Sequence, residues 1–200
     1  MQLDRFTQKS REAIQASLSL AAERKHAQVA PIHLLAALLR ANDALVRRIL
    51  DRIGASVDAD VDAALAWLGE RASSVGAAGH CTGGHLAFRA AFRPQVRATA
   101  CWYATGLHDG KLGKDPDAGS LARAGEIQGE LLTVWGTADP HTPQDGREVI
   151  RAGLAPLGDR LTWREYDAEH AFGRDVGDRY DPAVTDAAFA ETIAVFGRAL

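Results

Sequence analysis

Gly79-His80-Cys81-Thr82-Gly83-Gly84 is a cysteine boxed by glycines, set between a short apolar run and an amphipathic helical stretch. A residue at the tip of a sharp strand-to-helix turn needs neighbours without side chains, because a Cβ there collides with the flanking backbone. This is the physical content of the nucleophile elbow G-x-S-x-G, here with Cys81 in the nucleophile position. The plain alternative is a small buried hydrophobe in a tight turn. What decides between them is whether the rest of the chain supplies partners.

Downstream, residues 74–78 take the strand position before the elbow, although their β propensity is weak. Residues 85–93 read as a helix, 96–104 as a strand and 131–135 as a short apolar strand. A helix over 143–157, a strand over 161–166 and a helix over 182–200 follow. Phe189, Ile193, Phe196 and Leu200 form the apolar stripe of that last helix. Strands alternating with helices of this length argue for βαβ units and a parallel sheet. Such a sheet gathers all its carboxyl ends on one edge. Three chemistry-bearing residues stand at those ends: Cys81 after the first strand, Asp139 in Gly136-Thr137-Ala138-Asp139-Pro140-His141, and His170 in Glu169-His170-Ala171-Phe172. A strand-end aspartate alone is usually a helix cap, and a lone histidine is usually structural. Together, in the order nucleophile, acid, histidine, they match the arrangement of α/β-hydrolases.

Each residue type suits that chemistry. A thiol with an ordinary pKa of ~8.5 needs a base or a helix N-terminus beside it to ionise at neutral pH. The elbow provides the helix start and His170 the base. Asp139 would fix the imidazole tautomer and stabilise its cation. The backbone N–H of Thr82 would be an oxyanion donor.

Upstream the chain changes character. Among nineteen glycines only Gly54, and among Phe, Trp and Tyr only Phe6, precede residue 66. Residues 5–24 read as a helix that Thr7 or Ser10 could cap, with Ile14, Leu18 and Ala21 on one face. Pro31 opens a second helix with Leu34, Leu35, Leu38 and Leu39 as its stripe. Asn42 or Asp43 opens a third, ending at Gly54. A fourth covers 57–70, with Val61, Ala64, Leu65 and Leu68 on one face. The expected organisation is a helical segment, 1–56, followed by an α/β domain, 57–200, with about four mostly parallel strands and flanking helices.

Composition narrows the classes further. With 200 residues and a net charge of -3, nothing points to nucleic acid or an anionic membrane as partner. No apolar run approaches a membrane span, and no signal-peptide core follows Met1, which places the protein in the cytoplasm. Two cysteines and seven histidines without ligand spacing give neither a disulfide framework nor a metal site.

Two resemblances attach to these stretches. Phe6-Thr7-Gln8-Lys9-Ser10, Ala13, His26 and the run from Pro31 to Leu39 closely resemble the N-terminal Clp repeat of AAA+ disaggregases and unfoldases. That resemblance implies a segment able to bind peptide or protein and no more, since one repeat is present and no ATPase. His26 and His33 then read as packing or capping residues. Residues from about 58 to 200 resemble the C-terminal half of a dienelactone hydrolase family enzyme. The matching stretches are Gly79 to Phe88, Trp135 to Pro143 and His170 to Asp175. This second resemblance implies hydrolysis of a small ester or lactone by a Cys-His-Asp triad without a cofactor. Carried over residue by residue, Cys81 matches the nucleophile, Asp139 the acid and His170 the base. Arg174 matches an arginine that binds the substrate carboxylate, or else it is a surface residue pairing with Asp175 or Asp178. Tyr103 is a weaker match to a pocket tyrosine, and Cys101 reads as packing. The family's sheet has further strands before the nucleophile strand. Their absence here implies a weak or vestigial hydrolase with an open sheet edge, which the helical segment or a second copy pairing as a homodimer would close. The competing readings are a silent binding module of Clp type and a fused product without an evolved function.

Overall fold

Backbone donors, small residues and apolar alternation settle the elements of the chain. The computed structural model describes residues 7–26, 28–29, 33–34, 37, 56–175 and 177–200. Contacts divide the chain into two units, Met1–Ser56 and Val57–Leu200.

In the first unit α1 spans Gln8–Glu23, and the Thr7 hydroxyl caps it by accepting from the Ser10 N–H at 3.3 Å. Its buried face differs from the expected one. Ala13, Ser17, Leu20 and Ala21 are buried, whereas Leu18 is exposed. Ala13, Ser17 and Ala21 stand at i, i+4, i+8, so a row of small residues faces inward, and the Ser17 hydroxyl is satisfied by donating to Ile14 O at 2.7 Å. The rings of His26 and His33 meet edge to face with Nδ1 and Nε2 2.7 Å apart. The expected second helix falls largely, and the third wholly, outside the described residues.

In the second unit α2 (Val57–Gly69) leads to β1 (Val75–His80), α3 (Thr82–Ala90), β2 (Val96–Trp102), β3 (Glu130–Gly136), α4 (Gln144–Leu154), β4 (Leu161–Tyr166) and α5 (Pro182–Ala199). The sheet runs β1-β2-β3-β4 and every pairing is parallel. Strand residues alternate between two cores. Cys101, Leu131 and Trp135 face Phe88, Ile150 and Leu154 on one side. Ala98, Ala100, Trp102, Leu132 and Val134 face Phe172, Ala188 and Val195 on the other. Burial on both faces is why β3 is a continuous apolar run. Among the described residues β1 pairs with β2 alone, and its Ala78 and His80 are exposed.

Two helices depart from the sequence reading. The first is α3, which starts at Thr82 rather than at 85, because the chain turns directly from Cys81 into the helix: Gly84 N–H and His85 N–H both donate to Cys81 O, at 3.0 and 3.3 Å. The second is α5, whose expected stripe is buried only in part: Phe196 packs on the core and the Phe189 ring meets Trp102 at a centroid distance of 4.8 Å. Phe189, Ile193 and Leu200 are 46%, 70% and 54% exposed, while Thr185, Ala188, Thr192 and Val195 form the buried face. The sheet already carries the large rings of Trp102 and Phe172 on that side, so the helix approaches with small residues. Thr192 Oγ1 accepts from Trp102 Nε1 at 3.1 Å. Among the described residues no helix is long and apolar enough to cross a membrane.

The glycine box is not uniformly strict. A Cβ on Gly79 would lie 2.0 Å from Gly83 O, and one on Gly84 would lie 2.9 Å from Trp102 O. A Cβ on Gly83 meets nothing within 4 Å. Gly79→Ala is therefore expected to lower stability by roughly 2 kcal/mol or more. Gly83→Ala, inside a helix with room for a methyl, should be neutral or stabilising by up to about 1 kcal/mol. Thermal melts of the two variants check the contrast.

Candidate active site

Three loops at the carboxyl edge of the sheet bring Cys81, Asp139 and His170 together. Cys81 sits at φ 57°, ψ -124°, in the left-handed half of the map that side chains rarely occupy. Four bonds hold it there: Cys81 N–H donates to Trp102 O at 3.0 Å, and the Gly84, His85 and Thr105 N–H groups donate to Cys81 O at 3.0, 3.3 and 3.3 Å. The loop after β3 is tied to the loop after β4. Thr137 N–H donates to Tyr166 O at 2.8 Å and Ala138 N–H to Ala168 O at 3.1 Å. This cross-link places Asp139 against His170.

His170 Nδ1 stands 2.7 Å from Asp139 Oδ2, and His170 Nε2 stands 3.3 Å from Cys81 Sγ. The other carboxylate oxygen, Asp139 Oδ1, accepts from the His141 N–H at 2.8 Å. Asp139 and His170 are buried and Cys81 is half-buried. Thr105 Oγ1 lies 3.9 Å from Sγ, and Thr105 O in turn is 2.9 Å from the Nδ1 of buried His85.

The electrostatics follow from these contacts. The bond to His170 lowers the Cys81 thiol most, burial opposes it, and the Thr82 N–H and Thr105 hydroxyl add to it, giving a pKa of about 7. Burial works against the His170 imidazolium, but the Asp139 and Cys81 bonds outweigh it and raise it to about 9. Burial likewise pushes Asp139 up, while His170 and the His141 N–H hold its carboxyl below the usual carboxylate range. Between about 7 and about 9 the pair stands as thiolate and imidazolium, the form in which a cysteine is a nucleophile. Cys101 is a contrast: fully buried in the core, its thiol is pushed far up by burial.

The remaining candidates occupy different positions. The Thr82 N–H is directed at Cys81 Sγ. Tyr103 is buried at φ 36°, with its N–H donating to Val134 O at 2.7 Å and its ring edge-on to His170. Burial and the nearby Cys81 push its hydroxyl up to about 12. Arg174 is exposed, and among the described residues it makes no ion pair with Asp175 or Asp178. Thr105 and His141 do not stand out in the sequence. Thr105 is reached only through the β1–β2 register, and His141, although inside the Trp135–Pro143 stretch that carries the family resemblance, has no role assigned by it.

A parallel sheet whose first strand ends in a glycine-boxed elbow defines an α/β protein of the hydrolase type. The chain belongs to the dienelactone hydrolase family, whose model matches residues 38–200. The match begins inside the stretch that resembles a Clp repeat. A Saccharomyces cerevisiae protein named as a carboxymethylenebutenolidase is 36% identical over 132 residues, which cover 63% of this chain and 48% of that protein. A solved structure from Klebsiella pneumoniae subsp. pneumoniae, named as a dienelactone hydrolase, aligns with a TM-score of 0.63 at 23% identity, covering 70% of this chain and 60% of that one. A dienelactone hydrolase-like promiscuous phosphotriesterase from metagenomic libraries aligns with a TM-score of 0.60 at 18% identity, covering 79% and 68%. The chain thus spans about half the length of its curated relative.

Iodoacetamide should alkylate Cys81 with a rate that rises through a pH of about 7. Asp139→Asn removes the charge that sustains the imidazolium, so the thiolate loses its partner. The midpoint should then move up toward the ordinary thiol value of ~8.5. The rate measured across pH for both proteins checks this.

Proposed function

We propose that the protein hydrolyses carboxylic esters or lactones through Cys81, His170 and Asp139. The observation that carries this reading is the continuous relay from Cys81 Sγ to His170 Nε2 at 3.3 Å and from His170 Nδ1 to Asp139 Oδ2 at 2.7 Å. The thiolate attacks the ester carbonyl, and the new C–S bond leaves negative charge on oxygen for the Thr82 N–H to accept. Collapse breaks the C–O bond, and the His170 imidazolium gives its proton to the departing alkoxide. Water, deprotonated by His170, then cleaves the thioester, releasing the acid and restoring the thiol. Asp139 orients the imidazole and balances its charge throughout. Arg174, exposed four residues after His170 and without an acidic partner among the described residues, would hold a substrate carboxylate, and Tyr103 would form part of the wall. No cofactor is needed for these steps. Turnover should be modest, because Ala78 and His80 beside the elbow are exposed. A site open to water weakens the electrostatics that carry most of the rate.

The first unit admits a second reading, which rests on the resemblance of residues 6–39 alone: a peptide-binding segment of Clp-repeat type. Capture of an unfolded polypeptide that disappears when residues 1–55 are deleted supports it, and capture unchanged by the deletion contradicts it.

Hydrolysis of an activated ester such as 4-nitrophenyl acetate should be bell-shaped in pH, with limbs near about 7 and about 9. Cys81→Ala should abolish it. Equal rates for parent and variant would rule out Cys81 as the nucleophile.

A further inference from the structure

His170 is anchored at both ring nitrogens, by Asp139 at 2.7 Å and by Cys81 at 3.3 Å. Those bonds set the direction of the nitrogens but leave the ring free to tilt, because the terminal torsion of a histidine is broad. Two other rings lean on the imidazole. Tyr103, at the end of β2, has its centroid 5.1 Å away at 66°, and His141, in the β3–α4 loop, has its centroid 4.5 Å away at 67°. Both are edge to face, the geometry that aromatic pairs favour. Tyr103 is buried among Trp102 and Phe172, so packing of the core accounts for its place. His141 is exposed, and core packing does not account for it. Its backbone N–H bonds Asp139 Oδ1 while its ring meets His170, so one residue touches two members of the relay.

We propose that His141 is a positioning residue whose ring fixes the plane of the His170 imidazole and so keeps Nε2 on Cys81 Sγ. The inference rests on the reading of Cys81, His170 and Asp139 as the reacting set. It adds a residue that neither touches the substrate nor exchanges a proton. The charged and titratable groups around His170 are Cys81 from the elbow, Asp139 and His141 from the β3–α4 loop and Tyr103 from the end of β2. Neighbouring Glu169 is engaged by Arg179 at 3.3 Å.

Two substitutions separate the ring from its charge. His141→Ala removes the ring, His141→Phe keeps a flat ring without a titrating nitrogen, and both retain the N–H that Asp139 accepts. The rate of Cys81 alkylation by iodoacetamide across pH is the direct readout, since Cys101 is fully buried. Hydrolysis of 4-nitrophenyl acetate is measured alongside. His141→Ala should slow alkylation near neutral pH by roughly three- to tenfold, the size of one aromatic pair, and raise the midpoint. His141→Phe should restore both. A His141→Ala profile identical to that of the parent overturns the proposal. So does a His141→Phe variant as impaired as His141→Ala, which would assign the effect to the charge of His141. Ring-dependent alkylation in a protein that hydrolyses no ester would sustain the positioning role and refute the hydrolytic reading instead.

Discussion

A Cβ at Gly79 would sit 2.0 Å from Gly83 O, so the turn at the end of β1 closes only when position 79 has no side chain. That clearance lets the chain reverse from strand to helix across a single residue and leaves Cys81 at φ 57° with its Sγ facing out of the turn. Backbone bonds to Trp102 O and from the Gly84 and Thr105 N–H groups hold this strained residue in place. The start of α3 directly after Cys81 follows from it. The rest of the edge is arranged around a sulfur whose position the main chain dictates.

The second constraint is electrostatic. A buried carboxylate is stable at Asp139 because Oδ1 and Oδ2 each receive a hydrogen bond, one from main chain and one from His170. That carboxylate keeps the imidazole charged against the pull of burial, and the charged imidazole keeps the thiol low. His170 is the member that links the other two, since it lowers both the Cys81 thiol and the Asp139 carboxyl. The three residues sit in a chain that spans about half of its curated relative, and among the described residues β1 is the first strand of the sheet and pairs with β2 alone.

Much of this was legible in the residues. The glycine box, Asp139 in its strand-end loop and His170 in its own are local patterns, and parallel topology is enough to bring them to one edge. The strands Val96–Trp102 and Glu130–Gly136 read clearly because they are buried on both faces along most of their length and are mostly apolar there. The inward faces of α1 and α5 were not legible. A sequence stripe of large residues says which side of a helix is apolar, and here the sheet beneath α5 takes Ala188 and Thr192 most deeply, keeps Phe189 and Phe196 at the margin of that contact and leaves Ile193 outside. Thr105 and His141 escaped for a different reason. Their contacts with Cys81 and His170 depend on register and ring orientation, which no single-sequence pattern encodes.

The account stands on Cys81 as the atom that takes the acyl group. Rapid mixing with an activated ester, acid quenching and mass spectrometry of the peptides measure this directly. An acyl mass is expected on the peptide carrying Cys81, appearing within one turnover and decaying as acid is released. Ester consumption with an unmodified Cys81, or with the acyl group on another residue, would contradict it.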